Sequence, residues 1–352
     1  EGAGGGEGER GPLQSTADGI IEGLSRPVQF DGELCHFGAS VGSDIGMACA
    51  SGPEIDPARL LANADIALYS AKGSGRGRAE YFTEELRKAA ESSRILGNEI
   101  RKALEDGQFV AVYQPQVDAV TGELLGAEAL ARWRHPVRGL VNPGEFLPVA
   151  ERLGVAPQLD QLILSQALTD LARWDAMGLH APHLSVNVSA KRLADRNFHA
   201  FLAEGDFPKR RLSFEILETV FFDRMDDVTR HAIDIMQESG VLLEVDDFGT
   251  GHASLSSLLD LAPNRLKIAR PFVTEIDQSD RHKQLVRSMI AVAQALGVDV
   301  IAEGVETRAQ ADTLIELGCV AMQGFYFGKP MTADAFTEDL RRRRDRRGRA
   351  SA

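Results

Sequence analysis

Beyond residue 108 the sequence alternates between short apolar segments and longer segments whose apolar residues recur at helical spacing. Strands that alternate with amphipathic helices are typical of a parallel α/β sheet. Eight such strands over roughly 225 residues predict a TIM-like (β/α)8 barrel. The predicted strands are FVAVYQPQV, LLGAEALAR, HLSVNVS, RLSFEIL, VLLEVDD, RLKIA, VDVIAEGV and VAMQGFYF. The predicted helices include QLDQLILSQALTDLARWDAMG, TRHAIDIMQESG, KQLVRSMIAVAQALG and RAQADTLIELG.

The first two predicted strands are joined by a connection that is too short for a parallel pair. Only the polar turn DAVTGEL separates them. A parallel crossover needs a dozen or more residues. The first strand is therefore expected to run antiparallel to its neighbours, which makes the barrel an altered TIM barrel.

The chain before the barrel has a different pattern. Residues 1–14 are rich in glycine and are predicted to be flexible, with ordered sequence starting near residue 15. Residues 15–82 predict a small α+β unit with the helix ADGIIEGLSRPV, a hairpin in VQFDGELCHFGASVGSDIGMA and the helix PARLLANADIALYSAKGSG. Residues 83–107 are polar and favour a linker helix. The main domain is expected to span residues 96–335.

Composition narrows the class of protein. The net charge of -13 opposes binding to a nucleic-acid polymer. The basic segment 336–352 is predicted to be a frayed helix end or a disordered tail, with nucleic-acid or lipid contact as the less favoured alternative. No apolar run approaches the ~18 residues of a membrane span, and no signal peptide is visible. We therefore expect a cytoplasmic protein, and a membrane tether in sequence preceding Glu1 stays open.

Cysteine and histidine do not suggest a metal site. Cys35, Cys49 and Cys319 are scattered without CxxC spacing, which argues against a disulfide framework and a thiolate zinc site. The eight histidines form no pair at ligand spacing.

Polar residues stand at the C-terminal ends of nearly all the predicted strands. In a TIM barrel these ends build the active site. Each residue alone has an ordinary structural explanation, and DDFGTG alone reads as a solvated turn. Their joint placement favours a site made of Glu128, Asn187, Glu215, Asp246, Asp247, Lys267, Glu303 and Gln323.

The charges of this set predict divalent cations. Five carboxylates contribute -5 and Lys267 contributes +1, so the sum is -4, which two divalent ions cancel. Without metal the crowded carboxylates would have to bind protons. Oxygen ligands favour Mg²⁺ or Mn²⁺. Two such ions about 3.5 to 4 Å apart are suited to activating water for displacement at phosphorus.

Eight phrases of the sequence together carry a specific resemblance. They are YQPQVD, AEALARWRHP, PGEFLPVAE, SVNVSA, FEILET, DDFGTG, AEGVE and QGFYFGKP, in this order. In these phrases the chain resembles the EAL domain of bacterial cyclic di-GMP phosphodiesterases. The resemblance implies a (β/α)8 barrel that hydrolyses cyclic di-GMP to linear pGpG with two Mg²⁺ or Mn²⁺ ions.

The same resemblance implies a role for each residue of the site. Glu128, Asn187, Glu215 and Asp246 would hold one metal, and Asp246 with Asp247 the second. Glu303 would bind or deprotonate the bridging water, while Lys267 would orient that water or the phosphate. Gln114, Arg132 and Gln323 would contact the substrate or complete the polar shell. Glu218 and Glu306 would steady a mobile loop that starts at Asp247, to which Gly249 and Gly251 give flexibility. A homodimer through this loop and the next helix is also implied.

Two features depart from that family pattern. Ala269 stands where the family usually has Asp, and His252 stands where an aromatic residue is common. His252 is interpreted as a tolerated loop substitution, whereas Ala269 motivates the alternative function, a noncatalytic cyclic di-GMP receptor. An unrelated two-metal barrel hydrolase is a third hypothesis.

The segment before the barrel carries a second resemblance. DIGMA followed by PARLLANADIALYSAKGSGRGRAEYF resembles the C-terminal half of a GGDEF domain. Lys72 and Arg76 match its phosphate-contacting positions, whereas Gly77 replaces the usual Asn and the early strands are absent from the sequence. A truncated or regulatory remnant without cyclase activity is expected.

Overall fold

The computed structural model describes residues 7–24, 26, 28–30, 33–35, 45–47, 56–73, 78–179, 183–205, 207–208, 210–221, 227–251 and 255–350. The chain divides into two compact units, Glu1–Asn98 and Glu99–Ala352. No helix within these ranges combines the length and the apolar character that crossing a bilayer requires.

Among its described residues, the first unit contains four short strands, two complete helices and the beginning of a third. Its elements are α1 (Glu7–Leu24), β1 (Val28–Phe30), β2 (Glu33–Cys35), β3 (Ile45–Met47), α2 (Pro57–Gly73) and β4 (Ala79–Tyr81). β1 and β2 form the predicted antiparallel hairpin, whereas β3 pairs parallel with β4. Helix α3 (Glu84–Glu105) begins in this unit and corresponds to the predicted linker helix.

Helix α1 begins at Glu7, within the segment that the sequence predicts to be flexible. Glycine content suggested flexibility, but the glutamate, arginine and leucine residues between the glycines favour a helix. Lys72 lies exposed near the end of α2, whereas Arg76 and Gly77 lie outside the described residues. The resemblance to half a GGDEF domain stays a prediction.

The second unit is a closed barrel. Its strands are β5 (Phe109–Asp118), β6 (Leu124–His135), β7 (Gly139–Val141), β8 (Leu184–Asn187), β9 (Leu212–Leu217), β10 (Leu242–Phe248), β11 (Arg265–Ile268), β12 (Asp299–Ala302), β13 (Ala321–Gln323) and β14 (Met331–Thr332). β5 pairs antiparallel with β6 and β13, and the remaining barrel neighbours, from β6 through β8 to β13, pair parallel. The TIM-like barrel with an antiparallel first strand is thus confirmed.

Helices surround the barrel. They are α4 (Pro143–Leu153), α5 (Ala156–Ala176), α6 (Ala190–Leu193), α7 (Arg196–Glu204), α8 (Asp227–Ser239), α9 (Leu255–Leu261), α10 (Arg270–Val273), α11 (Asp280–Leu296), α12 (Arg308–Glu316) and α13 (Ala333–Ala350), with a 3-10 helix at Glu218–Phe221. The four predicted helices correspond to α5, α8, α11 and α12.

The ends of these helices follow from local sequence. Thr307 caps α12 in a reciprocal arrangement with Gln310, and Ser279 caps α11. Helix α13 continues to Ala350, so of the two states predicted for the basic segment the helical one is observed. Asp339 lies 2.5 Å from Arg343 one turn along this helix, a spacing that stabilises helices.

The alternation of side chains along the strands positions the site. In β10, Leu243 and Val245 are buried in the apolar core. Glu244 and Asp246, which alternate with them along the strand, point to the opposite side. Inward and outward residues alternate along every strand of a barrel. The polar residues of β6, β8, β9, β10 and β11 therefore share the barrel interior.

Candidate active site at the mouth of the barrel

Lys267 lies among four carboxylates. Its Nζ is 2.7 Å from Glu215 Oε2 and 2.7 Å from Glu303 Oε1. The same atom is 3.2 Å from Asp246 Oδ1 and 3.5 Å from Glu128 Oε2. Lys267 is only 1% exposed. The structure thus brings together side chains that the sequence separates widely, because each belongs to, or directly follows, a different strand of the barrel.

Amide side chains orient the carboxylates. Asn187 Nδ2 donates to Glu128 Oε1 at 2.9 Å and to Glu215 Oε2 at 3.2 Å. Gln323 Nε2 donates to Glu128 Oε2 at 2.6 Å and to Gln114 Oε1 at 3.2 Å. Both oxygens of Glu128 are therefore held by donors from other strands. Such fixed rotamers keep a ligand set ready for a cation.

The backbone at the end of β10 allows both adjacent aspartates to face the mouth. Asp247 has φ 54, in the left-handed region that non-glycine residues rarely adopt. The register with β11 shifts between Val245 and Phe248. As a result, ligand oxygens of Asp246, Asp247 and Glu303 lie within 4.8 Å of one another. The solvated-turn interpretation of DDFGTG does not fit this arrangement.

Burial and crowding shift the protonation equilibria of the site. Burial raises the pKa of Glu215 well above its usual range, and the charge of Glu128 adds to the shift. Burial also raises the pKa of Glu303 to about 8, against the opposing effect of Lys267. Burial alone would lower the pKa of Lys267, but the surrounding carboxylates raise it well above the ordinary value. Protons therefore occupy part of the acidic set at neutral pH in the absence of another cation.

The donor set fits a hard divalent cation. The groups are carboxylates and one amide, the ligands that Mg²⁺ and Mn²⁺ prefer. Glu215 Oε1 is buried and has no hydrogen-bond partner among the described residues. Because Glu215 is already buried and oriented, this oxygen can ligate a cation without the burial of a further polar group.

The predicted substrate residues lie around this set. Gln114 is level with Glu128 in the pairing of β5 and β6, and its Nε2 donates to the Gly328 carbonyl at 3.1 Å. Arg132 follows Glu128 on the same side of β6, is partly exposed and donates to the Ala131 carbonyl at 2.8 Å. A cavity of about 280 Å³ opens beside Glu128, and its further lining residues include Leu147, Leu159, Ile163 and Leu217.

Glu218 contacts the loop that follows β10. Its Oε2 accepts from the Gly249 N–H at 2.7 Å and from the Gly251 N–H at 3.2 Å. Gly249 has φ 95, and a Cβ there would lie 2.9 Å from the Phe272 ring. Glycine is therefore required at this position by the backbone conformation and by close packing, in addition to the predicted flexibility.

Glu306 has a different partner from the one expected. Its Oε1 lies 2.8 Å from Arg270 Nη2, in an ion pair on the rim of the barrel. The predicted contact with the loop is not among the contacts of the described residues, so this role stays a prediction. His252 lies outside the described residues.

Sequence reasoning missed three polar residues near the site. Gln116 Nε2 donates to Gln323 Oε1 at 3.0 Å. Glu244 is buried and lies two residues before Asp246, on the same interior side of β10. Side chains two residues apart on a strand point to the same side, so Gln114 and Asp246 could have identified Gln116 and Glu244 as their neighbours on the interior face. Asp160 is on α5, lines the cavity and accepts from the Ser189 N–H at 2.9 Å. No sequence signal distinguishes it.

Replacing Asp160 by asparagine should change how stability depends on pH. Burial raises the pKa of Asp160 from 3.8 to about 6. Its contribution to stability is therefore complete below the unfolded-state pKa and is lost as pH rises through about 6. Asparagine keeps an acceptor for Ser189 without the charge. At pH 8 we expect D160N to exceed the wild type by up to about 3 kcal/mol in unfolding free energy.

Urea unfolding of both proteins at pH 4 and pH 8 measures this difference. The other titrating groups are common to the two proteins, so the comparison isolates residue 160. Parallel pH dependences for the two proteins would contradict the expectation.

Comparisons of this chain with a family model and with known proteins agree on one family. The family model described as EAL domain matches residues 97–330. The bifunctional diguanylate cyclase/cyclic di-GMP phosphodiesterase MucR of Pseudomonas aeruginosa is 35% identical over 325 residues, covering 91% of this chain and 47% of that protein. The cyclic di-GMP phosphodiesterase NbdA of the same organism is 35% identical over 327 residues, covering 92% of this chain and 41% of that protein. The chain spans about half the length of the curated relatives it matches.

A solved structure has the same fold. The phosphodiesterase named PaMucR, in its c-di-GMP complex, aligns with a TM-score of 0.64 at 36% identity and covers 68% of this chain and 99% of its own.

Proposed function

This chain belongs to the EAL domain family, and from that premise we propose that it hydrolyses cyclic di-GMP to linear pGpG with divalent metal ions bound at the mouth of the barrel. The observation that supports this most is the convergence of Glu128, Glu215, Asp246 and Glu303 within 3.5 Å of one buried lysine. The relatives named as cyclic di-GMP phosphodiesterases support the substrate.

The ligand set that we propose divides into two positions. Glu128, Asn187, Glu215 and Asp246 would hold one ion, and Asp246 with Asp247 the other, with Glu303 beside both. The chemistry that divalent ions supply when bound there is polarisation of water and neutralisation of charge that develops on the phosphodiester. Mg²⁺ and Mn²⁺ both suit these oxygen ligands.

The protein's own groups have complementary tasks in this proposal. Glu303, whose Oε1 lies 2.7 Å from Lys267 Nζ, has a pKa of about 8 through burial and suits the transfer of a proton near neutral pH. Lys267 keeps its proton and presents a fixed positive charge to the reacting phosphate. Arg132 offers a guanidinium fork to phosphate or guanine. Gln323 donates to Glu128 and limits its rotation, and Gln114 accepts a hydrogen bond from Gln323.

The activity is tested by incubating the full chain with cyclic di-GMP and separating nucleotides by chromatography. With MgCl₂ or MnCl₂ the expected product is pGpG, and with EDTA the substrate is expected to remain. Correctly folded protein that yields no pGpG with either metal would refute the proposal.

The receptor alternative rests on Ala269, which is 0% exposed and forms the N-terminal cap of α10 without a side-chain hydrogen bond. We expect restoring the acidic residue, Ala269→Asp, to change kcat by less than about threefold. The reason is that Lys267 already has four carboxylates within 3.5 Å, so its position does not depend on a fifth.

Initial rates of wild type and A269D under saturating substrate and metal decide between the two functions. A wild type that binds cyclic di-GMP without turnover, together with an active A269D, would favour the receptor.

We also propose a homodimer through the loop after Asp247 and helix α9, where Leu259 is 64% exposed. Analytical ultracentrifugation of the full chain tests it, with a monomer at micromolar concentration as the contrary result.

A further inference from the structure

A second layer of charge lies inside the barrel beneath the proposed metal ligands. Glu244 is 1% exposed, and its Oε1 accepts from Ser213 Oγ at 2.8 Å. The same oxygen is 3.1 Å from Arg265 Nη1 and 3.2 Å from His183 Nε2. These partners come from β9, from β11 and from the residue before β8. No step of the proposed reaction uses any of them.

Arg265 is close in the fold to the catalytic lysine. It precedes Lys267 by two positions on β11, so both side chains leave the strand on the interior face. Glu244 is level with Glu215 of β9 and with Arg265 in the strand register. Burial and Glu128 raise the pKa of Glu215, and the charge of Glu244 adds to this shift, so the two layers interact electrostatically.

Without Glu244, the guanidinium of Arg265 would be an uncompensated positive charge inside the barrel. A long side chain with five N–H donors can turn toward other carboxylates. Glu215 Oε1 is buried and has no partner among the described residues. Asp299 of β12 is the register partner of Arg265 and also offers a carboxylate. Asp299 is exposed, so solvent weakens an ion pair between the two side chains. Even without movement, the extra charge would repel cations across a medium of low dielectric constant.

We propose that Glu244 is a positioning residue that holds Arg265 away from the carboxylates of the mouth and so keeps them open to divalent metal. Glu244 acts through Arg265 and touches neither metal nor substrate. This inference rests on the proposed function, because it concerns affinity for the ions of that site.

Manganese binding to the full chain, without substrate, tests the proposal by isothermal titration calorimetry. For E244Q we expect the dissociation constant for Mn²⁺ to rise about tenfold or more, the size of effect known for groups that support metal ligands. For R265Q we expect tighter binding than for the wild type. For E244Q/R265Q we expect a return to within about threefold of the wild type, because the competing cation is gone.

Each result has one meaning. Equal Mn²⁺ affinity in E244Q and the wild type overturns the inference while leaving the proposed function intact. Weak binding in both E244Q and the double variant also overturns it, because Glu244 would then act independently of Arg265. If E244Q does not fold, R265Q decides. Tighter Mn²⁺ binding by R265Q than by the wild type supports the proposal, and equal or weaker binding overturns it. A wild type that binds no Mn²⁺ refutes the metal-dependent function itself, and the inference with it.

Discussion

Replacement of Glu128 by alanine is expected to reduce the rate of pGpG formation by at least about a thousandfold at saturating metal. Glu128 is 5% exposed, and each of its oxygens accepts a hydrogen bond from an amide of another strand. That geometry suits a carboxylate that ligates a cation with little freedom to move. Metal-ion stabilisation of the charge that develops at phosphorus is worth several kcal/mol, which corresponds to a loss of this size.

The same substitution should leave the fold intact. Three carboxylates remain within 3.2 Å of Lys267 after the substitution, so the lysine keeps its counter-charges. Loss of the repulsion between Glu128 and Glu215 partly offsets the hydrogen bonds and the volume that alanine removes. We expect the unfolding free energy of E128A to lie within about 2 kcal/mol of the wild type.

Single-turnover and steady-state assays of E128A, with Glu238→Gln as the control, measure the effect on catalysis. Glu238 is exposed on α8, away from the mouth of the barrel, so its charge should not influence the reaction. Residual activity of E128A within about tenfold of the wild type would show that Glu128 is not an essential ligand.

The barrel was predictable from sequence because its strands are short, apolar and separated by helices of regular period. The antiparallel β5 was predictable for a simpler reason, since the turn after it is too short for a crossover. β7 and β14, of three and two residues, contain too few positions for a period to appear. The start of helix α1 at Glu7 was not predicted, because glycine content was weighted above the helix-favouring residues between the glycines.

The candidate site was predictable as a set of neighbouring residues, but its geometry was not. Strand ends identified Glu128, Asp246 and Glu303, because parallel strands deliver their C-terminal residues to one mouth. The sequence gives no distances, so it could not reveal that Lys267 contacts four carboxylates at once. Partners such as Gln116 and Glu244 were missed for a related reason. Their function depends on which side chains face them across the barrel, and no local pattern encodes that.

The ring of carboxylates around Lys267 suggests that lysine and metal share the task of neutralising one cluster. In the absence of metal, Lys267 is the only cation within 4 Å of Glu128, Glu215, Asp246 or Glu303 among the described residues. A buried carboxylate without a counter-charge must bind a proton or destabilise the fold. The unfolding free energy of the metal-free protein should therefore depend on Lys267. A bound metal ion should replace part of the stabilisation that this lysine provides.

Replacing Lys267 by methionine, which keeps most of the side-chain volume, tests this idea. Loss of one partner of a buried charge pair typically costs 3 to 5 kcal/mol, so we expect K267M in EDTA to lose about 3 kcal/mol or more of unfolding free energy. Mn²⁺ at about a hundred times its dissociation constant should restore up to about 2.7 kcal/mol by mass action. Activity should remain low even when metal is saturating, because the fixed charge beside the phosphate is gone.

Urea unfolding of K267M with EDTA and with MnCl₂ measures both effects, and Lys283→Met is the matched control. Lys283 pairs with the exposed Asp280 at 3.7 Å on α11, an arrangement that contributes little to stability. K283M should thus unfold like the wild type in both buffers. If K267M were as stable as the wild type in EDTA, the carboxylates would be neutralised by protons rather than by the lysine. If K267M were destabilised but did not recover in Mn²⁺, lysine and metal would not act on the same charges.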